Sequence, residues 1–406
     1  MKFSCKNIIC FLSFAIFIFP PYLLSLGEMR TLYTLLASIL SLFYIFIFLF
    51  RIKRNRFTNS SIWLYVLICL FYFVILVSTI LHNGPLILIL GQSIIAVGFM
   101  ASLFYNFAYN SVIHTLSMLE LWLGICCTVN LITILFFPEG LYTIYGYNYT
   151  YSNPGYFLGH RNNAIEFLIP LLAVTSYVDL LRGKLNSKRY MIYFLISVIT
   201  SIMTWSVNAI LCVFVIMLCN IYLLKRNKGK IFNIRTLWIA SVVGTIAMTG
   251  AGAISYLMPY IQKFFDKSQT VLSRIRIWNQ SIFHISRSPI IGYGVEEQAI
   301  KYFKIGHINS CHNYYLDYLY YGGIVLLIIV VLILETVVKS VNKYTSKIKN
   351  KICIYFFAYF ILWLGSPIHR DFLFLMFGVF LLSVLIPWEQ YYGSSYSRIF
   401  SCKIHR

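Results

Sequence analysis

Charged residues are scarce in this sequence: only 11% of its 406 residues are Asp, Glu, Lys or Arg. A soluble domain carries about 25% charged and about 45–50% apolar residues. In this chain 60% of the residues are hydrophobic and the mean hydropathy is +0.77. Polar side chains could not cover so much apolar surface in water. The composition therefore excludes an ordinary soluble protein and predicts one that is solvated by lipid.

Acidic residues are rarer still, with 12 Asp and Glu against 33 Lys and Arg and a net charge of +21. A basic protein can bind nucleic acid, but such proteins collect their cations in one patch or stripe. The basic residues here stand in short clusters between apolar runs, as cytoplasmic loops of membrane proteins do. We therefore expect the charge to report membrane topology, with no nucleic acid as partner.

Metal-binding patterns are also missing. The ten cysteines stand mostly inside apolar runs, without CxxC or Cys/His spacing, which is typical of small buried apolar side chains. The features of transporters and channels are equally scarce. Few ionisable residues fall in mid-span, and neither a selectivity-filter-like glycine run nor a pair of matching broken helices is evident. We expect no metal and no cofactor.

Twelve apolar stretches predict membrane-spanning helices, each of which needs about 20 mainly apolar residues. They are 8–26, 31–50, 62–81, 85–105, 115–137, 162–181, 190–205, 207–224, 236–257, 313–338, 352–368 and 371–388. The first stretch is similar to a signal peptide but has no clear small-x-small cleavage site before Gly27. We expect it to be a retained first helix.

Basic clusters set the predicted orientation, because Lys and Arg in short loops resist translocation. They occupy 51–56, 182–189, 225–235 and 339–351, which places both termini in the cytoplasm. The predicted fold is all-α, a polytopic integral membrane helical bundle formed by one domain over 1–406. Its two large outer loops are 138–161 and 258–312, and long loops in compact proteins often carry function.

The first outer loop enters a helix at the stretch 159–163, which reads Gly-His-Arg-Asn-Asn. Backbone N–H groups at a helix start favour an anion, and Arg161 adds a full positive charge. This pattern makes Arg161 and Asn162 candidate anion ligands. The alternative is an interfacial anchor in which Asn162 caps the helix.

The second outer loop carries Arg274 and Arg276, followed by Ser-Pro-Ile-Ile-Gly-Tyr-Gly at 288–294. Two residues apart, the arginines would not share one face of a helix. From a loop they could converge on a diphosphate, since the planar guanidinium fork suits phosphate oxygens, or only one of the two is a ligand. The alternative is a pair of surface arginines in contact with lipid headgroups.

His312 and Asn313 lie where the second loop re-enters the membrane. A histidine at the mouth of a cavity can accept a proton from a sugar hydroxyl near neutral pH, although a lone interfacial histidine can also be structural. Asp317 stands five residues further on, a poor spacing for a helical pair. Arg370 and Asp371 occupy the predicted turn between the last two spans, where they either form a local ion pair or add Arg370 to an anion site.

The order of these motifs resembles the O-antigen polymerase and ligase superfamily, closest to the Wzy-type polysaccharide polymerases. The resemblance rests on Arg-Ile-Trp at 276–278, on 288–294, and on His312-Asn313 opening a span that contains Gly322-Gly323. It covers 159–334. One departure is the turn at 205–208, Trp-Ser-Val-Asn, where many relatives carry a Ser-Arg pair. Arg161 or Arg370 would then supply the missing charge, or the donor would be held differently.

The resemblance implies a multi-pass protein of the bacterial cytoplasmic (inner) membrane with its active site on the outer face. The implied reaction transfers a growing glycan from undecaprenyl diphosphate onto a new lipid-linked repeat, for O-antigen or capsule. It implies His312 as the catalytic base and Arg161, Arg274, Arg276 and Arg370, with Asn162 and Asn313, as diphosphate or glycan ligands. It needs neither metal nor nucleotide sugar.

The same resemblance leaves other functions open. A ligase of the superfamily would move the finished glycan onto another acceptor, and a lipid-linked oligosaccharide flippase or other transporter would carry it across the bilayer. The implied partners are the undecaprenyl-diphosphate-linked oligosaccharide and the lipid bilayer, with a chain-length regulator and a flippase as further candidates.

Overall fold

The computed structural model describes residues 5–51, 58–145, 152–225, 233–250, 268–306, 310–366, 369 and 372–385. Within them the helices before the first long loop are α1 (Cys5–Phe17), α2 (Pro21–Ser25), α3 (Gly27–Arg51), α4 (Asn59–Leu81), α5 (Leu86–Tyr109) and α6 (Val112–Phe136). Three strands follow: β1 (Tyr142–Tyr145), β2 (Ser152–Tyr156) and β3 (Gly159–His160). The later helices are α7 (Ile165–Leu181), α8 (Lys188–Met203), α9 (Val207–Lys225), α10 (Ile234–Thr249), α11 (Ser268–Arg287), α12 (Gln298–Lys304), α13 (Tyr314–Val341), α14 (Ser346–Gly365) and α15 (Leu373–Leu385).

Six of these helices are long and apolar enough to cross a membrane, and four shorter ones are apolar, as counted over the described residues. Many large apolar side chains of α3 face outward: Leu35, Phe46 and Phe50 are 58%, 61% and 70% exposed. Such a surface is stable in contact with lipid tails rather than water. The chain is a predominantly α-helical membrane protein. Each of the twelve predicted spans overlaps a helix, while their number and orientation remain predictions.

Two corrections to the predicted fold concern prolines and loops. The predicted first span 8–26 is interrupted, because α1 ends at Phe17 and the Pro20-Pro21 pair cannot continue its hydrogen bonds. The two outer loops are also structured. Loop 138–161 contains the antiparallel sheet β1-β2-β3, so the all-α prediction needs this small exception, and loop 258–312 contains α11 and α12.

The sheet is attached to the bundle by main-chain groups. The amide of Leu158 donates to Asn130 Oδ1 of α6 at 2.9 Å, and the amide of Tyr22 donates to the carbonyl of Phe157 at 3.2 Å. β2 and β3 pair through Gly155 with His160 and Tyr156 with Gly159. These contacts fix the position at which the chain turns from the sheet into α7.

Helix α13 is broken at Gly323, whose φ of 60° and ψ of −156° only glycine adopts readily. The break would leave the carbonyls of Tyr320 and Tyr321 and the amides of Ile324 and Val325 without helical partners. Segment 288–294 provides them.

Four hydrogen bonds make this connection. The amides of Tyr293 and Gly294 donate to the carbonyls of Tyr320 and Tyr321 at 2.7 and 2.9 Å. The amides of Ile324 and Val325 donate to the carbonyls of Pro289 and Ile290 at 2.8 and 3.2 Å. We call this arrangement the α13 main-chain junction. It joins the polar segment between α11 and α12 to a helix that begins two residues after His312.

Glycine is required on both sides of the junction. A Cβ on Gly323 would lie 2.2 Å from the carbonyl oxygen of Ile290, and a Cβ on Gly292 would lie 2.5 Å from that of Tyr320. Both distances are shorter than any van der Waals contact allows. The two glycine motifs of the sequence, at 292–294 and 322–323, therefore serve one structural purpose.

We expect Gly323→Ala to destabilise the protein, by more than about 2 kcal/mol, because it adds backbone strain and a clash with a main-chain oxygen. The apparent melting temperature and the folded yield in detergent should both fall. Gly91→Ala is the matched control, since Gly91 lies in α5 with open space around its Cβ position. Equal melting temperatures for the two variants would contradict the junction.

Candidate functional site

His312 stands in an unusual turn just before α13. Its φ is +47°, a left-handed conformation that a non-glycine residue adopts only when its surroundings enforce it. The amide of Cys311 donates to Asp317 Oδ1 at 3.0 Å, which holds one side of the turn. Asp317 thus supports the backbone beside His312.

Asn313 holds the other side of this turn. Its Oδ1 accepts the amides of Tyr315 and Leu316 at 3.1 and 3.2 Å, as an N-cap residue does. Its Nδ2 donates to Thr245 Oγ1 of α10 and to the carbonyl of Leu364 of α14, both at 3.3 Å. The side chain is fully buried and is used in joining three helices. We therefore assign Asn313 a positioning role rather than the predicted contact with substrate.

The first loop brings His160 and Arg161 to the start of α7. Gly159 has a φ of +88°, which turns the chain sharply at the end of the sheet. The amide of Asn162 donates to His160 Nδ1 at 3.3 Å, so this ring nitrogen is an acceptor. Helix α7 begins at Ile165 with Ala164 at its N-cap position, so the alternative prediction of Asn162 as a helix cap is wrong. Asn162 and Arg161 are both exposed.

Arg274 and Arg276 lie on helix α11 and not in a loop, so they point to different sides. Arg274 is partly buried, and burial lowers the pKa of its guanidinium, which nevertheless stays charged at neutral pH. Its charge acts on His312. Arg276 is exposed, and its Nε lies 3.8 Å from the Cβ position of Gly306. The predicted convergence of both arginines from a loop is not the observed arrangement.

His369 and Glu166 complete the site, and neither is predicted from the sequence as a site residue. Glu166 is buried in the first turn of α7, and both of its carboxylate oxygens accept the amide of His369 at 3.1 Å. The ring Nδ1 of His369 lies 3.2 Å from Glu166 Oε1. The polar turn that drew attention to Arg370 was the available signal for His369. Arg370 itself lies outside the described residues.

Electrostatic interactions connect these residues into one group. The charge of His369 acts on both His160 and His312, the charge of Arg161 acts on His160, and that of Arg274 acts on His312. We call this group the histidine–arginine cluster. Its members are His160, Arg161, Glu166, Arg274, His312 and His369.

Burial and neighbouring charge keep two of its histidines neutral. Desolvation, followed by the charges of Arg274 and His369, lowers the pKa of His312 to about 4. Desolvation, followed by the charges of Arg161 and His369, lowers the pKa of His160 to about 4. A histidine in the neutral form can accept a proton, so His312 is in the correct state for a general base at pH 7.

The cluster arginines differ from others in the chain. Arg189 pairs with Glu120 at 2.7 Å, and Arg235 forms a two-pronged pair with Glu335 at 2.9 and 2.6 Å. In the described part of the chain no carboxylate forms an ion pair with Arg161 or Arg274. Unpaired guanidinium groups beside neutral imidazoles form a site that attracts an anion. Across the same described residues, no group of three His, Cys, Asp or Glu side chains could hold a metal ion.

Residues 192–331 match the Wzy_C family model, which is described as O-antigen ligase. This match confirms the resemblance to the O-antigen polymerase and ligase superfamily. The matched residues include Arg274 and His312, whereas His160, Glu166 and His369 lie outside them. No curated protein and no solved structure gives a significant match.

We expect His312 to stay neutral in mildly acidic solution. Diethyl pyrocarbonate modifies the neutral imidazole. A free histidine with a pKa of about 6.5 is roughly nine-tenths protonated at pH 5.5 and therefore reacts much more slowly there than at pH 7.5. The rate at His312, followed by peptide mass spectrometry, should change less than about twofold between pH 7.5 and 5.5 because its pKa is about 4. N-acetylhistidine serves as reference. A rate at His312 that falls in parallel with the reference would show an ordinary pKa.

Proposed function

We propose that this chain is a polymerase of undecaprenyl-diphosphate-linked oligosaccharide repeat units, for O-antigen or capsular polysaccharide. The observation that carries the proposal is Arg274, which forms no ion pair with a carboxylate of the described residues, beside a neutral His312, together with Arg161, whose charge acts on His160. The superfamily match supports a glycosyltransferase-like enzyme in polysaccharide processing. The cluster provides the two elements that transfer from a lipid diphosphate needs, a base and an anion site.

The proposed reaction proceeds as follows. His312 accepts the proton of an acceptor hydroxyl on the new lipid-linked repeat while that oxygen forms a bond to the anomeric carbon of the growing chain. The bond from this carbon to the diphosphate oxygen breaks, and its electron pair leaves with the diphosphate. Arg274 and Arg161 stabilise the negative charge that develops there, which a preorganised cation does best in a site of low dielectric constant.

The proposed location is the outer face of the bacterial cytoplasmic membrane. Lipid-linked repeats would reach the site from the bilayer, delivered by a flippase, and a chain-length regulator is a further proposed partner. Tyr156 of β2 is close enough to Arg161 for that charge to act on its pKa, but its ring is buried and its hydroxyl donates to the carbonyl oxygen of Pro138 at 2.8 Å. Burial, the largest influence, raises the pKa of Tyr156, so its hydroxyl remains a hydrogen-bond donor.

A ligase is the second candidate, because the matching family model carries the description O-antigen ligase. The turn at 205–208 has no arginine, and Asn208 there donates to Ser366 Oγ instead. In relatives we associate an arginine at this turn more firmly with ligases, which favours the polymerase for this chain. The two functions consume the same lipid-linked glycan and differ in the acceptor.

Deletion of the gene should separate these functions through the glycan size profile on a gel. For a polymerase we expect a long ladder to collapse to a single attached repeat. Loss of all attached repeats, with long chains kept on undecaprenyl diphosphate, would mean a ligase. Single repeats trapped on the inner leaflet would mean a flippase, and an unchanged profile would contradict a role in glycan assembly.

Substitutions at the cluster test the chemistry. His312→Ala should leave the protein inserted and abolish chain extension, and Arg274→Lys should shorten the chains, because a bidentate grip is lost. Arg287→Lys is the matched control: it lies on the same helix, and its guanidinium stacks on Phe283 at 4.1 Å. Arg276→Lys should resemble the control, since Arg276 is exposed on the other side of α11. If the His312→Ala strain makes glycan chains of wild-type length on the gel, His312 is not the catalytic base.

A further inference from the structure

Lys301 of α12 is a buried lysine without an assigned role in the proposed reaction. It is 5% exposed, although lysine is almost never so deeply buried unless its charge is paired. Its Nζ donates to the hydroxyl of Tyr321 at 2.7 Å and lies 3.8 Å from Asp317 Oδ1. Asp317 is also 5% exposed, so the two opposite charges compensate each other where water has little access.

Asp317 connects this ion pair to the candidate base. The oxygen paired with Lys301, Oδ1, is the same atom that accepts the amide of Cys311 at 3.0 Å. Cys311 directly precedes His312, whose left-handed φ of +47° must be imposed by its surroundings. A chain of two contacts therefore runs from the ammonium group of Lys301 to the backbone immediately before His312.

The lysine is itself held by a rigid part of the structure. Tyr321 accepts the amide of Gly294 with its carbonyl, in the α13 main-chain junction, and accepts Nζ of Lys301 with its hydroxyl. Nζ also stands over the ring of Tyr321, 4.1 Å from its centroid. Without this cation, the buried carboxylate of Asp317 would turn toward other donors or take up a proton. Either change weakens the hydrogen bond from the Cys311 amide.

We propose that Lys301 is a positioning residue for the base of the reaction, an inference that rests on the proposed function. Its charge holds the carboxylate of Asp317, and Asp317 holds the turn that presents His312 to the acceptor hydroxyl. The second outer loop then has two separate tasks. Arg274 of α11 binds the diphosphate, and Lys301 of α12 fixes the base.

A second ion pair on α12 provides the matched control. Lys304 pairs with Glu296, which also accepts the hydroxyl of Tyr320. The side chain of Glu296 is 5% exposed and that of Asp317 7%, so the two carboxylates are similarly buried. The described hydrogen bonds of Glu296 are with Lys304 and Tyr320 and not with the turn of His312. Lys304→Met therefore removes a cation from a buried carboxylate of the same region without changing that turn.

Chain extension by the full-length protein in proteoliposomes tests the role of Lys301. The substrate is the pool of lipid-linked repeats extracted from the deletion strain. Binding of undecaprenyl diphosphate is measured in parallel, with undecaprenol as the control for the lipid tail. We expect Lys301→Met to lower kcat at least about tenfold and to leave diphosphate binding within about twofold of wild type, because the base is misplaced while the arginines are unchanged. Lys304→Met should keep both values near those of wild type. A parallel loss of binding and kcat in Lys301→Met, or a wild-type kcat, would overturn the positioning role.

A double variant shows whether Lys301 acts through Asp317. Asp317→Asn removes the charge that needs Lys301 but keeps a side-chain oxygen that can accept the Cys311 amide. Lys301→Met/Asp317→Asn has no unpaired buried charge, so we expect its kcat to recover to within about fivefold of wild type. A double variant as slow as Lys301→Met alone would contradict the inference.

A second pair of variants decides the question if Lys301→Met alone does not fold. Lys301→Met/Asp317→Leu also lacks both charges, but it has no acceptor for the Cys311 amide. It should extend chains at least about tenfold more slowly than Lys301→Met/Asp317→Asn and bind undecaprenyl diphosphate equally well. Equal kcat values for these two variants would overturn the inference. Melting temperatures verify that each comparison is made on folded protein.

The proposed function fails in a different way from this inference. If wild type does not extend the extracted lipid-linked repeats, the polymerase function is refuted, and the inference falls with it. If wild type extends them and Lys301→Met does so at the same rate, only the positioning role of Lys301 is refuted.

Discussion

The α13 main-chain junction is the constraint on which the candidate site depends. A transmembrane helix that breaks inside a bundle exposes two carbonyls and two amides, and each unsatisfied group would cost several kcal/mol in an apolar environment. Segment 288–294 satisfies all four through its own backbone. The segment is further fixed to α4, where Ser78 donates to the carbonyl of Ile291 at 2.8 Å and the amide of Val295 donates to Thr79 Oγ1 at 2.8 Å. Helices α11 and α12 are connected to the bundle through this rigid segment.

The position of His312 follows from the same arrangement. Its turn is fixed by the capping of α13 by Asn313 and by the hydrogen bond from the amide of Cys311 to Asp317 Oδ1, and the charge of Arg274 on α11 acts on its ring. The junction holds α11 to α13, so the arginine and the histidine keep their relation although they are 38 positions apart in the sequence. A site assembled from loops gains precision when each loop is tied to a helix by main-chain hydrogen bonds. The turn of His160 is attached in the same manner, through Asn130 of α6.

The sequence was sufficient to predict the long apolar helices, because apolar runs of membrane length leave little freedom, but it did not predict α11 and α12 in the second outer loop. Spacing also predicted that Arg274 and Arg276 cannot share a helix face, and α11 confirms this. Two features of the site could not be predicted from the sequence. The junction is formed by backbone groups, so the glycines are the one side-chain pattern in the sequence that indicates it. The pairing of Glu166 with His369 spans 203 residues, and each partner alone is typical of an ordinary polar residue near a helix end.

The low pKa of His312 has a consequence for the order of events. An imidazole with a pKa of about 4 is in the neutral form that can accept a proton, but it is a weak base. Burial and, after it, the positive charge of Arg274 lower its pKa, and a diphosphate bound to that arginine would cancel the part that comes from the charge. By reciprocity, anion binding would strengthen the hold of His312 on a proton, and protonation of His312 would strengthen anion binding by the same factor. The bound donor would thus strengthen the base that deprotonates the attacking hydroxyl, and an empty site would leave hydroxyl groups, including those of water, largely protonated.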